Sequence, residues 1–592
     1  MIPTNTKDPE YYHKVVDCQY ACPAHTPVPE YIRLIAQERY TEAYMINWES
    51  NVFPGILGRT CDRPCEPACR RGRVEEEPVA ICRLKRVAAD NKDDIKGLLP
   101  KIPKKKNGKK IALIGGGPAA LTVARDLAPL GYEIDLYDEL AKGGGMIRSQ
   151  IPSFRLPDEV LDEEVNYVLD MGIKAHFNKR VDSLKEVLDS GYDSVVVATG
   201  APKGRDLRLP GREEGDANIH IGVEFLANVA FEHMKKIGKR VIVLGGGNTA
   251  MDCCRTSRRI GGEDVKIVVR SPFEDMKASP WEIEDAKNED VPFYNNMSPK
   301  EYVVEDGKLK GMLFEKVEAK YDEDGKRKLI PTGESDVFIE ADEVIVAIGQ
   351  DVAFPWIEKD LGIKFNEWGL PIVNKETFQS SLPSVFFAGD AAFGPENIIT
   401  SVAHGHQVAV SIDLYLEGED INDRPEPITN LYQQKMGIHE WLYDSAVADD
   451  ERYAVPHEKK EKVLKDRKTE VELGFSLPTA FKEAHRCLNC DVQTEFTLSK
   501  CIECDACVDV CPTACITFTK NGNEDDLRQR LNAPAENLSQ SLLVSNDLPT
   551  ERVMIKDEDV CLHCGLCAER CPTAAWDMKK FEYNVTKATP IL

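Results

Sequence analysis

Hydrophobic residues in the middle of the chain form short continuous runs, and each run ends in small residues. The first run, IALI at 111–114, is followed by a glycine turn, a helical pattern and a second strand that ends near Asp138. This order is one βαβ unit, and a second such unit begins at Arg240. Further apolar runs lie at 195–197, 344–346 and 385–387. The pattern predicts an α/β fold with two doubly wound, Rossmann-like domains.

Outside this region the pattern changes. Residues 31–46, YIRLIAQERYTEAYMI, have amphipathic helical spacing, so the first part of the chain is predicted to be α-helical. The lysine-rich segment at 100–110 is predicted to be a solvated linker. Residues from about 425 to 480 are charged and predict a helical connector, whereas residues 521–550 predict an irregular surface loop.

Composition narrows the class of protein. At 592 residues the chain is too long for one core. A formal net charge of −25 argues against nucleic acid or an anionic membrane as partner, because both require a basic face. No apolar run reaches the ~18 residues of a membrane span and the first residues are too polar for a secretory signal, so we expect a cytoplasmic protein. The 19 cysteines, many in CxxC spacing, are then expected to bind metal.

Two copies of one cysteine spacing close the chain. The pattern is CxxCxxCxxxCP, and its cysteines are Cys501, Cys504, Cys507 and Cys511, then Cys561, Cys564, Cys567 and Cys571. In bacterial ferredoxins, three thiolates of one run and the fourth thiolate of the other ligate one [4Fe–4S] cluster. The two runs therefore predict a two-cluster, ferredoxin-like module that passes single electrons.

The first glycine loop has the spacing of a dinucleotide site. Gly115, Gly117 and Ala120 are the three small positions of the fingerprint, which permit a tight turn and a close approach of the backbone to a pyrophosphate. Asp138 ends the next strand, where it can accept hydrogen bonds from a ribose.

The second glycine loop repeats the spacing with Gly245, Gly247 and Ala250. The following strand ends in Arg270, where an NAD-binding domain carries a carboxylate, and a guanidinium can pair with a 2′-phosphate. NADP(H) is therefore favoured, with NAD(H) as the alternative. Arg255, on the helix behind the loop, is expected to add positive charge, unless it is simply a solvated arginine.

Six motifs in order resemble the small subunit of NADPH-dependent glutamate synthase and the N-terminal half of dihydropyrimidine dehydrogenase. They are GGGPAA, GGGMIRSQIPSFRLP, VVVATG, GGGNTAMD, VAIGQ and FFAGDA, and the resemblance covers residues 1 to about 425. It implies FAD in the first Rossmann domain and a nicotinamide cofactor in the second. The positions that carry over as FAD contacts, besides those named above, are Gly145, Arg155, Gly200, Gly389, Asp390 and Asn397, and Asn248 carries over to the nicotinamide loop.

The N-terminal cysteines resemble the two-cluster domain of the same family. They are Cys18, Cys22, Cys61, Cys65, Cys69 and Cys82, two fewer than two clusters require, and the opening CxxC of the family is missing. We expect Cys487 and Cys490, in EAHRCLNCD, to fold back and share a cluster with Cys18 and Cys69. Cys22, Cys61, Cys65 and Cys82 would hold the other. Cys82 is the least certain ligand: it could be a bystander, with Lys85 near the position where a ligand is expected.

These features predict an NADP(H)-dependent FAD and iron–sulfur oxidoreductase subunit with four [4Fe–4S] clusters. Flavin can exchange a hydride with the nicotinamide and single electrons with clusters. The favoured partner is a 2-oxoacid:ferredoxin oxidoreductase or ferredoxin, by analogy alone. The alternatives are a glutamate synthase small subunit, a stand-alone NADPH:acceptor reductase and a non-enzymatic iron–sulfur scaffold, and electron bifurcation stays open.

The predicted domains follow from these motifs. They are an α-helical iron–sulfur domain at 1–108, an FAD domain at 109–235 and 340–425, an NADP domain at 236–339, a connector with the RCLNC cysteines at 426–492, and a two-cluster ferredoxin-like domain at 493–592.

Overall fold

The computed structural model describes residues 2–6, 8–75, 77–322, 327–432, 448, 450–520, 524–585 and 587–588. The chain forms two compact units. One, which we call the terminal unit, comprises Met1–Leu99, Arg424–Val455 and Gly474–Thr586. The other, the central unit, comprises Pro100–Asp423, Pro456–Leu473 and Lys587–Leu592.

The N-terminal part of the terminal unit is helical, as predicted. Its helices are α1 (Pro9–Lys14), α2 (Asp17–Tyr20), α3 (Val28–Ala36), α4 (Tyr40–Asn51), α5 (Pro54–Thr60), α6 (Arg71–Val74) and α7 (Ile81–Asp90). Helix α3 buries Tyr31, Ile32 and Ile35, which lie on one face at helical spacing. It begins with Pro29 in its first turn, where the missing N–H costs no hydrogen bond.

The first part of the central unit alternates strands and helices. Its elements up to the second glycine loop are β1 (Lys110–Ile114), α8 (Pro118–Leu127), β2 (Glu133–Tyr137), α9 (Met146–Gln150), α10 (Asp158–Leu169), β3 (Lys174–His176), α11 (Leu184–Asp189), β4 (Ser194–Val197), β5 (Lys203–Gly204), β6 (Ile219–Ile221), α12 (Gly222–Ala230) and β7 (Arg240–Leu244).

The second part continues to residue 417. Its elements are α13 (Asn248–Arg259), β8 (Asp264–Val268), α14 (Pro280–Asn288), β9 (Phe293–Tyr294), β10 (Met297–Glu305), β11 (Lys308–Tyr321), β12 (Arg327–Pro331), β13 (Val337–Glu340), β14 (Glu343–Val346), β15 (Gln350–Asp351), β16 (Val385–Phe387), α15 (Asp390–Phe393) and α16 (Ile398–Glu417).

Two parallel sheets organise the central unit. The first has the order β16-β4-β1-β2-β3 and the second the order β6-β14-β7-β8-β9. Every neighbouring pair in both sheets is parallel. Strands β10 to β13 add an antiparallel sheet. The doubly wound fold predicted from the apolar runs is therefore confirmed.

The strand exchange between the two Rossmann domains differs from the predicted boundaries. Strands β6 and β14 pair in the second sheet, with Val344 opposite Ile242 and Ile219, although the boundaries at 235 and 340 assigned both strands to the first domain. The chain crosses at the two-stranded ladder of β5 and β15. The strands of both sheets are similarly apolar, so the sequence VIV of β14 did not indicate which of the two sheets it joins.

The C-terminal part contributes to both units. Its elements are β17 (Ile428–Tyr432), α17 (Lys460–Val463), α18 (Leu477–Ala484), β18 (Val492–Phe496), α19 (Ala506–Val510), β19 (Ile516–Thr519), α20 (Glu524–Arg528), β20 (Leu543–Val544), β21 (Val553–Lys556), α21 (Leu566–Arg570) and β22 (Trp576–Asn584). In the terminal unit they form the sheets β17-β22-β18 and β19-β21-β20.

The predicted connector is not one helix. Strand β17 pairs with β22 in the terminal unit, whereas residues 456–473 belong to the central unit, where the Val471 N–H donates to the Phe154 carbonyl over 3.0 Å. Part of the predicted helical stretch, 433–447 and 449, lies outside the described residues. The predicted loop at 521–550 contains the short elements α20 and β20.

Candidate functional site

The predicted FAD residues meet at the carboxyl edge of the first sheet. Gly115 follows β1, Asp138 follows β2, Gly200 lies beyond β4 and Gly389 lies beyond β16. Because all the strands are parallel, these ends share one edge of the sheet. Helices α8 and α16, which pack against each other, begin at the same edge.

The first glycine loop has the backbone that its sequence requires. Gly115 has φ +102°, and a Cβ there would lie 2.5 Å from the Ala198 carbonyl oxygen. A Cβ on Gly117 would meet nothing within 4 Å, so this side of the loop is open. Gly145 has φ +52° and packs against Gly117, which a Cβ would approach to 2.8 Å. The loop therefore presents an open glycine at the N-terminus of α8, the arrangement that accepts a pyrophosphate.

Asp138 supports this loop. Its carboxylate accepts from the Gly116 N–H at 2.5 Å and from the Leu140 N–H at 2.7 Å. Burial raises the pKa of Asp138, and these backbone hydrogen bonds oppose that rise. A carboxylate has further lone pairs with which to accept from ribose hydroxyls.

The side of the edge formed by β16 and α16 carries unsatisfied polar groups. Asn397 caps α16 by accepting from the Thr400 N–H at 2.9 Å. Burial raises the pKa of Asp390 to about 6 and lowers the pKa of His404 to about 4. Among the described residues, Thr199 Oγ1 and His404 Nδ1 are buried without a hydrogen-bond partner. Such atoms, beside an open glycine loop, fit a bound polar cofactor such as FAD.

Arg155 makes protein contacts that the sequence did not predict. Its guanidinium donates to Asp252 of α13 at 2.7 and 2.8 Å and pairs with Glu282 of α14 at 2.5 Å. Arg155 therefore connects the segment after α9 to the second Rossmann domain. The flavin contact expected for Arg155 stays a prediction.

The second glycine loop repeats the geometry at the edge of the second sheet. Gly245 has φ +136°, and a Cβ there would lie 2.1 Å from the Ala347 carbonyl oxygen. A Cβ on Gly247 would meet nothing within 4 Å. Ala250, in the first turn of α13, is fully buried. Asn248 accepts from the Ser279 N–H at 2.8 Å, so its side chain fixes the segment before α14.

The two predicted arginines of this edge lie in opposite environments. Arg270 is exposed at the end of β8 and has no ion pair within the described part of the chain. Arg255 is fully buried and pairs with Glu289 at 3.0 Å and Asp285 at 2.9 Å. The expectation that Arg255 adds charge to the nucleotide loop is therefore corrected, because carboxylates already neutralise its guanidinium. Arg270 is free to meet a phosphate.

The 16 predicted ligand cysteines lie in the terminal unit. We divide them into four sites. Site I is Cys18, Cys69, Cys487 and Cys490, site II is Cys22, Cys61, Cys65 and Cys82, site III is Cys511, Cys561, Cys564 and Cys567, and site IV is Cys501, Cys504, Cys507 and Cys571.

The cysteines of site I come from both ends of the chain and line one small cavity. The segment that carries Cys487 is held by Arg486, which is fully buried and donates to the carbonyls of Glu77 at 2.9 Å and Pro78 at 3.1 Å. Arg486 also pairs with Glu483 at 2.8 Å. The structure thus brings together the four cysteines that sequence reasoning grouped.

Site II includes Cys82. The thiols of Cys61 and Cys65 hydrogen-bond to the sulfur of Cys82, which raises the pKa of both and lowers the pKa of Cys82. Lys85 is buried beside them, and its ammonium donates to Asn51 Oδ1 at 2.7 Å. Lys85 is therefore a counter-charge in this geometry, and Cys82 is grouped with the other sulfurs.

Sites III and IV follow the three-plus-one pattern of the ferredoxin spacing. All four cysteines of site III line one cavity, including Cys511 from the other run. In site IV, burial raises the pKa of Cys501, and the nearby thiolates of Cys571 and Cys504 raise it further. The second run therefore completes the site begun by the first.

The same backbone turn recurs at these sites. The residue two positions after a cysteine has a left-handed backbone conformation. In three loops its N–H donates to the sulfur of that cysteine, with an N···Sγ distance of 3.4 Å. These residues are Arg63, Glu503 and His563, with φ of 57°, 56° and 55°. N–H groups aimed at sulfur stabilise a thiolate, so the loops fit cluster ligation. Sequence spacing did not reveal this turn, because none of the three residues is glycine.

The sequence did not predict that two basic residues are buried beside the cysteine sites. Arg70 lines the cavity of site I, and Lys556 lines that of site III. Both are almost fully buried. A basic residue directly after Cys69 was the only signal in the sequence, and basic residues next to cysteines are common on exposed surfaces.

The fold and these sites define a flavoprotein class with two dinucleotide-binding domains joined to iron–sulfur domains. Residues 109–405 match the pyridine nucleotide-disulphide oxidoreductase family, and the chain belongs to this family. Residues 12–96 match dihydropyrimidine dehydrogenase domain II, 4Fe-4S cluster, and residues 500–575 match the 4Fe-4S dicluster domain. The prediction of an NAD(P)H-dependent FAD and iron–sulfur oxidoreductase is confirmed.

Three curated relatives illustrate the family. The chain is 33% identical to NADP(+)-dependent formate dehydrogenase subunit beta of Moorella thermoacetica, over 80% of this chain and 70% of that protein. It is 30% identical to NADPH-Fe(3+) oxidoreductase subunit beta of Geobacter sulfurreducens, over 82% and 77%. It is 31% identical to the glutamate synthase [NADPH] small chain of Azospirillum brasilense, over 68% and 86%. The resemblance to the glutamate synthase small subunit is therefore confirmed.

Among the described residues, no helix is both long enough and apolar enough to cross a bilayer.

Proposed function

We propose that this protein is the NADP(H)-dependent electron-transfer subunit of a larger oxidoreductase. The observation that carries the proposal is that one chain holds two open glycine-loop edges and four sets of four cysteines. When bound, FAD exchanges a hydride with a nicotinamide and single electrons with iron–sulfur clusters. The names of all three relatives above describe a subunit or chain of an oxidoreductase, which supports a subunit role.

The first sheet edge is the proposed FAD site. The residues that would hold it are Gly115, Gly117, Ala120, Asp138, Gly145, Gly200, Gly389, Asp390 and Asn397. Of these, Gly117 leaves room for a pyrophosphate at the N-terminus of α8, and Asp138 would accept from a ribose. The orphaned Thr199 hydroxyl at the same edge would gain a partner.

The second sheet edge is the proposed NADP(H) site, with Gly245, Gly247, Asn248, Ala250 and Arg270. Arg270 would pair with the 2′-phosphate, because its guanidinium is exposed at the strand end where NAD-binding domains carry a carboxylate. We expect Arg270→Ala to raise KM for NADPH about tenfold, the loss of one ion pair worth ~1.4 kcal/mol, and to leave KM for NADH unchanged.

The control for this substitution is Arg258→Ala. Arg258 donates to the carbonyls of Gly262 and Glu263 rather than facing the loop. Equal losses with NADPH and NADH in the Arg270 variant would contradict NADP(H) specificity.

Sites I to IV are proposed to hold four [4Fe–4S] clusters. Purified protein should then contain about 16 irons per chain, since each cluster has four. About eight irons would eliminate two of the sites. The large number of thiolates also favours a reducing, cytoplasmic location.

The catalytic partner is proposed to be a 2-oxoacid:ferredoxin oxidoreductase, with ferredoxin as a further acceptor. The experiment is native purification at low ionic strength followed by identification of the chains that co-purify, and reduction of the flavin by 2-oxoacid and coenzyme A through them. Full NADPH:acceptor turnover with no co-purifying chain would favour a stand-alone reductase. Co-purification with a glutamine-hydrolysing chain would favour a glutamate synthase small subunit.

A further inference from the structure

Arg70 is a buried cation that touches two cysteine sites at once. It is 2% exposed and follows Cys69 of site I directly in the chain. Its side chain lines the cavity of site I together with the four cysteines of that site. Its Nη1 donates to the carbonyl of Cys561 at 2.7 Å, and Cys561 belongs to site III. One guanidinium group therefore spans from one site to the other.

The guanidinium group of Arg70 has an unsatisfied donor. Within the described part of the chain, Arg70 Nη2 is buried and has no hydrogen-bond partner. A buried guanidinium nitrogen left without a partner costs free energy, so a native structure normally supplies an acceptor. The sulfur atoms of a cluster held by site I would be such acceptors. The residues of the cavity thus fit a sulfur-rich, anionic group.

The other two nitrogens of the guanidinium group are held by hydrogen bonds. Nε pairs with Asp17, which precedes Cys18, and Nη1 also donates to the Glu558 carbonyl at 2.5 Å. The imidazole of His563 lies 3.3 Å from Nη1. Arg70 is therefore the buried cation shared by the loop of Cys18 and the loop of Cys561.

We propose that Arg70 links sites I and III as neighbouring stations of one electron path, donating a hydrogen bond to the cluster of site I and to the ligand loop of site III. This inference rests on the proposed function, because it requires clusters at both sites. A fixed positive charge between two anionic clusters makes the extra electron less costly on either one, and N–H···S hydrogen bonds raise a cluster potential.

The step is a simple exchange. One electron would pass from the cluster of one site to the cluster of the other. The first cluster would be oxidised by one electron and the second reduced by one electron. No bond is made or broken, and the guanidinium keeps its protons throughout because its pKa stays far above neutrality. NADPH, or dithionite in the experiment, supplies the electrons.

The experiment compares Arg70→Met and Arg70→Lys with the wild-type protein, all as full-length chains with their iron content measured. Redox titrations followed by electron paramagnetic resonance give the midpoint potential of each cluster, and Cys487→Ser and Cys564→Ser variants assign the signals to sites I and III. We expect Arg70→Met to shift both potentials to more negative values and to slow electron passage between the two clusters at least tenfold after rapid reduction. Arg70→Lys, which keeps the charge but loses the forked hydrogen bonds, should recover part of both effects.

The matched control is Arg73→Met. Arg73 joins the same two segments, pairing with Asp17 at 3.6 Å and Asp559 at 2.8 Å, but it does not line the cavity of site I. Removing this charge should leave the potentials of sites I and III at wild-type values.

The outcomes separate this inference from the proposed function. Wild-type protein that binds no [4Fe–4S] cluster at these sites would overturn the proposed function itself. If the Arg70→Met variant keeps both clusters and their potentials and transfer rates are unchanged, the Arg70 link alone is overturned. If Arg70→Met fails to retain iron, the Arg70→Lys variant decides the question. Potentials and transfer rates equal to those of Arg73→Met would overturn the link. Lower potentials with slower transfer would support it.

Discussion

At the scale of the residue, the positions that the sequence identified best are those whose backbone allows few amino acids. The fingerprint glycines Gly115 and Gly245 both have positive φ and lie against a carbonyl of the neighbouring strand connection. Spacing predicted them because only glycine tolerates both conditions. Arg155 and Arg255 were harder, because each has a carboxylate partner on α14 and no local pattern links that helix to them.

The two glycines of the second loop should separate stability from binding. A Cβ on Gly245 would lie 2.1 Å from the Ala347 oxygen, so Gly245→Ala should lower the free energy of unfolding by about 3 kcal/mol. Gly247→Ala meets open space and should change it by less than about 1 kcal/mol while weakening nucleotide binding, because the methyl group occupies the side that we assign to the pyrophosphate. Urea denaturation and nucleotide titration measure the two effects, and equal destabilisation by both substitutions would contradict the loop geometry.

The partly buried imidazole of His404 should make the free energy of unfolding depend on pH. Burial lowers the pKa of His404 to about 4, whereas an unfolded histidine titrates near ~6.5. Between these values the unfolded chain binds a proton that the folded chain does not, so stability is full above ~6.5 and falls as the pH drops towards 4. The expected loss is about 2 kcal/mol after allowing for partial exposure.

His404→Gln tests this linkage. The urea midpoint of the intact protein, followed by flavin fluorescence, should depend less on pH between 6.5 and 4 in this variant than in wild type. His233→Gln, at an exposed position, serves as the control. An unchanged pH profile in the His404 variant would show that another group causes the dependence.

At the scale of the element, the sequence predicted which segments are strands better than it predicted which strands pair. The run at 344–346 was correctly expected to be buried, yet β14 joins the second sheet between β6 and β7. Pairing depends on where the chain crosses between domains, and the crossing ladder of β5 and β15 has only two residues in each strand. A ladder this short leaves almost no periodic signal.

Helix α18 shows how one element can be fixed by buried polar contacts. Glu483 is fully buried; it accepts from the Ala80 N–H at 2.8 Å and pairs with Arg486 at 2.8 Å. Removal of one member of a buried pair leaves the other charge uncompensated. Arg486→Met should therefore lower the free energy of unfolding of the terminal unit by about 3 to 5 kcal/mol.

Thermal or urea unfolding followed by loss of the iron–sulfur absorbance measures this change. Lys482→Met, an exposed change on the same helix, should stay within about 0.5 kcal/mol of wild type. A small effect of Arg486→Met would mean that the fold-back segment is held chiefly by apolar packing.

At the scale of the whole molecule, the terminal unit is built from both ends of the chain. Spacing predicted the ferredoxin-like half by itself, because its eight ligands lie within one stretch of sequence. Grouping Cys487 with Cys18 needed a count of missing ligands rather than a pattern, since 469 positions separate the two residues in the chain. The contacts that bring them together, such as Arg486 with the carbonyls of Glu77 and Pro78, have no signature in the sequence.

This construction makes a prediction that links distant residues. If site I holds one cluster, Cys18→Ser and Cys487→Ser should each remove the same paramagnetic signal and about four irons per chain, because either change leaves three thiolates. Cys253→Ser is the control, because that buried thiol lies in the central unit and hydrogen-bonds the Gly222 carbonyl. Loss of two different signals in the two variants would show that the chain ends serve separate clusters. Loss of one shared signal would mean that the second half of the chain completes a centre begun by the first 70 residues, so that this centre can form only after the chain has been made as far as Cys490.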